Sequence, residues 1–251
     1  NLRAVEIARE AISDSACECL IAGNIGPIGQ LISPFGAITF SEAEQVFYEQ
    51  ALLLVRGGVD FLLIETMSDL HEAKAAVIGA RRASGGSIPV ICSFTYSREL
   101  RTLMGADPET VATVFEGLAV DAIGINCGFG PDLANEVLMR QYGVTDIPLL
   151  VQPNAGIPVL TGGRTVYPLG PESFVEYFQE LIPNGANIVG GCCGTTPDHI
   201  GLLASLAKEL KPVPVHSPGF SKLSGSTQTI YIGESFPTPI VGERLNPTGR
   251  K

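Results

Sequence analysis

The sequence predicts a parallel α/β fold, read as a TIM-type (β/α)8 barrel of which six βα units are visible. Two observations predict it. Short apolar runs alternate with helix-periodic stretches at a spacing of roughly 30–40 residues, the rhythm of a parallel sheet with crossover helices. Residues with useful chemistry close almost every run, and a barrel keeps its active site at the C-terminal ends of its strands. A six-stranded open sheet is the alternative, but it would gather such residues at one crevice.

The chain opens at Asn1 inside a helical stretch that leads into the first run, 19–23. Further runs lie at 61–65, 89–94, 122–126, 148–152 and 187–191, almost continuously apolar as in strands covered on both faces. Helical periodicity fills 41–56, 69–83, 108–118, 131–140, 171–181 and 197–210. Ser41 with Glu44 reads as a capping box, Asp69 with Glu72 as a second, and Thr196-Pro197 as cap and first turn. A closed barrel needs eight units. Residues 1–210 are therefore expected to be a barrel lacking its first two βα units. Residues 211–228, rich in Pro, Ser and Gly, read as a linker, and 229–251 as the entry of another domain.

Composition bounds the function. Of 251 residues, 45% are hydrophobic and 17% charged, which describes a well-buried globular chain. A formal charge of −10 with no basic stripe argues against nucleic acid and anionic membrane surfaces as partners. No run is long enough to span a bilayer and no secretory signal opens the chain, so a cytoplasmic location is expected. Six cysteines in a chain of this size are better read as reduced thiols than as staples. Cys17 and Cys19 are assigned a packing role, and His71, His199 and His216 the surface.

The chemistry concentrates in two glycine-flanked clusters, Gly-Ile-Asn-Cys127-Gly and Gly-Gly-Cys192-Cys193-Gly. Both follow strand-like runs, so the three thiols lie at one end of the sheet. Three soft ligands around an open position suit a catalytic zinc. Adjacent strand residues point to opposite faces, so Cys192 and Cys193 can share a metal only if the chain leaves β geometry, and Gly190, Gly191 and Gly194 give it that freedom. A vicinal disulfide or a pair of buried thiols remains open, although neither gives Cys127 a role. Zinc would hold a thiol as thiolate, whereas a free thiol has a pKa near ~8.5. An all-thiolate, electron-rich site suits alkyl transfer to sulfur better than hydrolysis. At other strand ends, Glu65 could pair with a substrate ammonium, while Ser93, Thr95 and Asn154 offer neutral hydrogen bonds. Asn126 reads as support for its loop.

Ile-Glu65-Thr-Met-Ser-Asp69, Gly-Ile-Asn-Cys127-Gly, Gln-Pro-Asn154-Ala-Gly and Gly-Gly-Cys192-Cys193-Gly-Thr-Thr-Pro-Asp-His together resemble the homocysteine S-methyltransferase domain over residues 1 to about 210. The segment Pro239-Ile-Val-Gly-Glu243-Arg244-Leu-Asn246-Pro-Thr-Gly249 resembles the entry strand of a pterin-binding barrel, and that order of domains is the one found in cobalamin-dependent methionine synthases. The resemblance implies zinc on Cys127, Cys192 and Cys193, L-homocysteine as acceptor, and Glu65 on its amino group. It places Asn154 near the metal, filling the open position when substrate is absent. The implied donor is methylcobalamin on a downstream cobalamin-binding module, regenerated from 5-methyltetrahydrofolate. The family's first two strands, with an Asp-Gly-Ala-type motif that helps form the substrate site, have no counterpart in this sequence. A thiol methyltransferase using betaine, S-methylmethionine or a separate corrinoid protein as donor, and a non-catalytic zinc-binding fragment, are the competing readings.

Overall fold

A computed structural model describes residues 1–15 and 18–239. Cys17 and the Glu243–Gly249 stretch of the pterin-like motif lie outside the described residues. The order is α1 (Leu2–Ser13), β1 (Ala22–Ile25), α2 (Phe40–Gly57), β2 (Phe61–Met67), α3 (Leu70–Ser84), β3 (Val90–Phe94), α4 (Pro108–Gly117), β4 (Ala122–Asn126), α5 (Pro131–Tyr142) and β5 (Leu149–Gln152). It continues with β6 (Val159–Thr161), β7 (Arg164–Val166), α6 (Pro171–Glu176), α7 (Phe178–Leu181), β8 (Ala186–Val189), α8 (Pro197–Glu209), β9 (Ser221–Ser224) and β10 (Thr229–Ile232).

Six strands form one parallel sheet in the order β1-β2-β3-β4-β5-β8. It does not close into a barrel among the described residues, so β1 and β8 are its edges. The first strand is Ala22–Ile25, later than the expected 19–23, and Cys19 is exposed ahead of it, with no packing role. The last ends at Val189, so both glycines before Cys192 lie beyond it.

Alternation along each strand divides the interior in two. One face, with Leu62, Ile64, Val90, Cys92, Phe94, Ile123, Leu149 and Val151, packs under the helices in the main core. The other carries Leu63, Ile91, Ala122 and Leu150, with Phe61 and Ile188 against them, as an inner cluster. The main core also buries Phe47, Phe115, Phe174 and Phe178 almost completely, each contributing about 1.5–3 kcal/mol against exposure. At Gly124 a Cβ would lie 1.9 Å from the Leu150 carbonyl oxygen, so only glycine lets β4 and β5 approach this closely.

Several local expectations are corrected. The capping box of α2 is formed by Thr39 and Glu42, not by Ser41 and Glu44; Glu44 instead binds Arg82 at 2.6 Å. Asp69 caps α3 by accepting from the His71 N–H, but Glu72 turns away and accepts from the Ile28 N–H at 2.7 Å. The helix expected over 171–181 is interrupted at Tyr177 and becomes α6 and α7. His199 is buried rather than on the surface: one ring nitrogen meets the Leu169 carbonyl at 3.0 Å and the other the Thr196 hydroxyl at 2.8 Å. His71 and His216 are exposed as expected.

The stretch read as a bare linker contains β9, which pairs antiparallel with β10. This hairpin packs on α4. The Lys222 ammonium binds Glu116 at 2.8 Å and also donates to the Val144 carbonyl, and Arg101 donates to the Thr227 carbonyl at 3.0 Å. These polar contacts hold it there, while Phe220, Tyr231 and Phe236 pack on one another within the segment.

Candidate active site

The thiols converge. Cys127 Sγ lies 3.9 Å from Cys193 Sγ, Cys192 Sγ lies 4.0 Å from Cys193 Sγ, and all three sulfurs fall within 4.8 Å of one another. All three are free. Zinc–sulfur bonds of about 2.3 Å in a tetrahedron separate sulfurs by about 3.8 Å, so the cluster fits that metal's demand. Exposure rises from Cys127 and Cys192, half-buried, to Cys193, exposed, which leaves the site open to solvent on one side. Cys92 is fully buried, its thiol pushed up by burial, and takes no part.

Backbone geometry makes this convergence possible. Cys127 follows β4 directly and adopts φ 58°, a left-handed conformation that turns its side chain out of the strand alternation. Of the three glycines flanking Cys192 and Cys193, only Gly194 is left-handed, at φ 81°. The Tyr167 ring lies against it, where a Cβ would come within 2.2 Å of Cγ. The two loops are then laced together. Cys127 N–H donates to the Gln152 carbonyl at 3.2 Å, Cys192 N–H to the Pro153 carbonyl at 2.9 Å, and Ala155 N–H to the Cys193 carbonyl at 2.9 Å. Asn154 adds its side chain: its Oδ1 accepts from the Cys193 N–H at 3.1 Å, and the residue is buried.

The thiols are not equivalent. Hydrogen bonding from Cys192 holds the Cys127 thiol down, to about 5, with the Gly128 N–H and Asn154 acting in the same direction. Cys192 is pushed up, first by the same bond and then by burial. Tyr167 is raised by its hydrogen bond to Cys193. Nothing in the sequence singled out Tyr167, which sits in a loop without periodicity.

The other expected residues lie at the same end of the sheet. Glu65 is half-buried near the end of β2 and accepts from Asn24 Nδ2 at 2.7 Å. Ser93 is fully buried and spends its hydroxyl on Asn126 Oδ1 at 2.7 Å. Thr95 is half-buried beside Gly128, where a Cβ would meet its Oγ1 at 2.7 Å. Thr66, next to Glu65, is left-handed at φ 61°, and the β2–β3 register shifts there. Such a conformation costs a non-glycine residue about 1–3 kcal/mol and persists only where its surroundings hold it.

With this geometry in place, known proteins can be set beside it. The sequence model of homocysteine S-methyltransferase matches residues 1–207. The chain belongs to the homocysteine S-methyltransferase family. Among relatives, the methionine synthases of Mycobacterium tuberculosis (strain ATCC 25618 / H37Rv) and Mycobacterium leprae (strain TN) are 36% and 35% identical over 236 and 240 residues. Each alignment covers 92% of this chain but 20% of the relative, so the chain spans about a fifth of their length. In three dimensions, crystal structures of the homocysteine methyltransferase MmuM from Escherichia coli, in apo and metallated forms, match with TM-scores of 0.59 and 27% and 25% identity. Those matches cover 81% and 82% of this chain and 68% and 67% of theirs. The family shares this α/β architecture. Among the described residues no helix is long and apolar enough to cross a membrane.

Proposed function

We propose that the chain is the homocysteine-binding part of a methyltransferase that produces methionine, with zinc held by Cys127, Cys192 and Cys193. The observation that carries this reading is the meeting of three thiols, from strand ends 66 positions apart in sequence, within 4.8 Å. Bound there, zinc would keep a substrate thiol ionised at neutral pH, where a free thiol is mostly protonated. Glu65 pairs its carboxylate with the substrate ammonium, and Asn24 orients that carboxylate. Asn154 keeps the Cys193 peptide in place and stands beside the open ligand position. The open side of the cluster, at Cys193, is where a methyl donor would approach the sulfur. Thr95 and Ser93 belong to the same end, Thr95 near the substrate and Ser93 one step behind it through Asn126.

The relatives' name supports methionine as product. Methylcobalamin, regenerated from 5-methyltetrahydrofolate, is the donor we propose, carried on a cobalamin-binding module with a pterin-binding module between. In this reading residues 1–210 form the homocysteine unit and 229–251 lead towards the pterin unit. A cluster that works as thiolates suits the reducing cytoplasm.

Zinc X-ray absorption with and without L-homocysteine tests the proposal. Three sulfur neighbours becoming four on addition of homocysteine is the expected result. Reduced, zinc-supplied protein without sulfur-bound zinc would overturn it, and three sulfurs unmoved by homocysteine would mark a metal-binding unit without substrate. Offering methylcobalamin, betaine or S-methylmethionine then identifies the donor by which one yields methionine.

A further inference from the structure

Asn126 has every hydrogen-bonding position of its side chain engaged, one of them on a β2 backbone N–H where the β2–β3 register shifts. It is 0% exposed at the end of β4. Its Oδ1 accepts from the Thr66 N–H at 2.8 Å and from the Ser93 hydroxyl at 2.7 Å. Its Nδ2 donates to Thr66 Oγ1 at 2.7 Å and to Cys192 Sγ at 3.8 Å. An amide offers two donors and one oxygen with two lone pairs, so all four positions are used. Rotating the amide by half a turn would set its NH2 against the Thr66 N–H, so the orientation is fixed. Burying an amide is costly unless it is bonded throughout, and an apolar residue would fill this place more cheaply if packing were all it served.

Its partners lie on the two sides of the site. Thr66 follows Glu65 and holds the left-handed turn that shifts the β2–β3 register. Cys192 belongs to the thiol cluster. We propose that Asn126 is a positioning residue that fixes the Glu65 carboxylate relative to Cys192, and so sets the distance between the ammonium and sulfur subsites. The proposal rests on the functional reading above. A fixed span favours an amino acid whose thiol lies at one distance from its ammonium, so Asn126 also contributes to the choice of homocysteine over the shorter cysteine. Through its N–H···S bond it directs charge at the sulfur as an outer partner of a metal ligand does.

Cobalt(II) substitution of the full chain tests this, because thiolate-to-cobalt charge-transfer bands report both metal affinity and ligand arrangement. Asn126→Asp keeps the shape and the acceptor but removes the donors to Cys192 Sγ and to Thr66 Oγ1. It is expected to weaken cobalt binding about 10–100-fold and to shift the band. Ser93→Ala, which frees one lone pair of Asn126 without adding charge, is expected to act in the same direction within about tenfold. Both should lower the ratio of homocysteine to cysteine affinity read from the same band, an effect that loss of stability alone does not produce. If Asn126→Asp fails to fold, Ser93→Ala carries the test. Wild-type affinity, band and thiol ratio in the folded variants would overturn the inference while the metal reading stands. A wild-type protein with no thiolate–cobalt band would overturn both.

Discussion

The inner face of the sheet carries two layers that differ by one step of strand alternation. Leu63, Ile91, Ala122 and Leu150 form an apolar floor. Two residues further along β2 and β3, and at the ends of β4 and β5, the same face presents Glu65, Ser93, Asn126 and Gln152. The floor needs only apolar volume. The upper layer is joined by directed bonds, Asn24 to Glu65 and Ser93 to Asn126 to Cys192. One set of strands therefore carries packing at one end and, on the proposed function, chemistry at the other, which is how a fold can change its reaction without changing its floor.

If the two layers divide the labour in this way, substitutions in them should fail differently. Leu150→Ala in the floor is expected to cost about 2–5 kcal/mol in urea unfolding, while the folded fraction still binds one zinc per chain. Loss of zinc from the folded fraction would break the division. Cys192→Ser is expected to do the reverse, lowering zinc affinity in a chelator competition by more than about 100-fold, beyond the loss typical of a supporting residue, with little change in the metal-free unfolding midpoint. Glu65→Gln removes the charge proposed to face the substrate ammonium. Homocysteine binding should weaken about 10–100-fold with zinc content unchanged, since hydrogen bonds to charged groups contribute about 1.5–3 kcal/mol.

A pH dependence sharpens the contrast within the upper layer. In zinc-free protein the Cys127 thiol is held at about 5, below the value of a free thiol. A group depressed in the folded state adds stability above its unfolded pKa, and that addition is lost as pH falls through the folded value. The stability gap between wild type and Cys127→Ser should therefore be present at pH 9, narrow on acidification and vanish below about 5. At pH 6.5, iodoacetamide should label this thiol ahead of Cys192, whose pKa is pushed the other way. Equal labelling of the two would show that they do not differ.

Strand alternation and helix periodicity made the βα rhythm legible, because parallel strands buried on both faces are long apolar runs. The cysteine clusters were legible too, since Gly-flanked thiols after such runs leave few other readings. Less visible was anything decided by tertiary contacts. His199 has an ordinary helical position and is buried only because α6 and the Leu169 carbonyl reach it. The α2 cap is a different case, because Thr39-Phe-Ser-Glu42 is itself a capping box in the sequence, two residues ahead of the one expected. The hairpin of β6 and β7 did have a signal, Thr161-Gly162-Gly163-Arg164, whose two left-handed glycines form its turn. Thr66 and Cys127 in left-handed backbone had none, because neither residue type advertises it. The hairpin on α4 was hidden by the Pro/Ser/Gly composition around it, while its anchor Lys222 finds Glu116 only in three dimensions.

The lacing of the Asn154 and Cys193 loops has a kinetic consequence. Hydrogen bonds to the Pro153 carbonyl, from the Ala155 N–H and to the Asn154 side chain set the Cys192–Cys193 backbone. The backbone that carries these two thiols is thereby ordered by the fold itself, so little chain ordering has to accompany capture of an ion. Loading and stripping should be fast, reversible events on a folded scaffold, in contrast to small zinc domains that fold and load as one step.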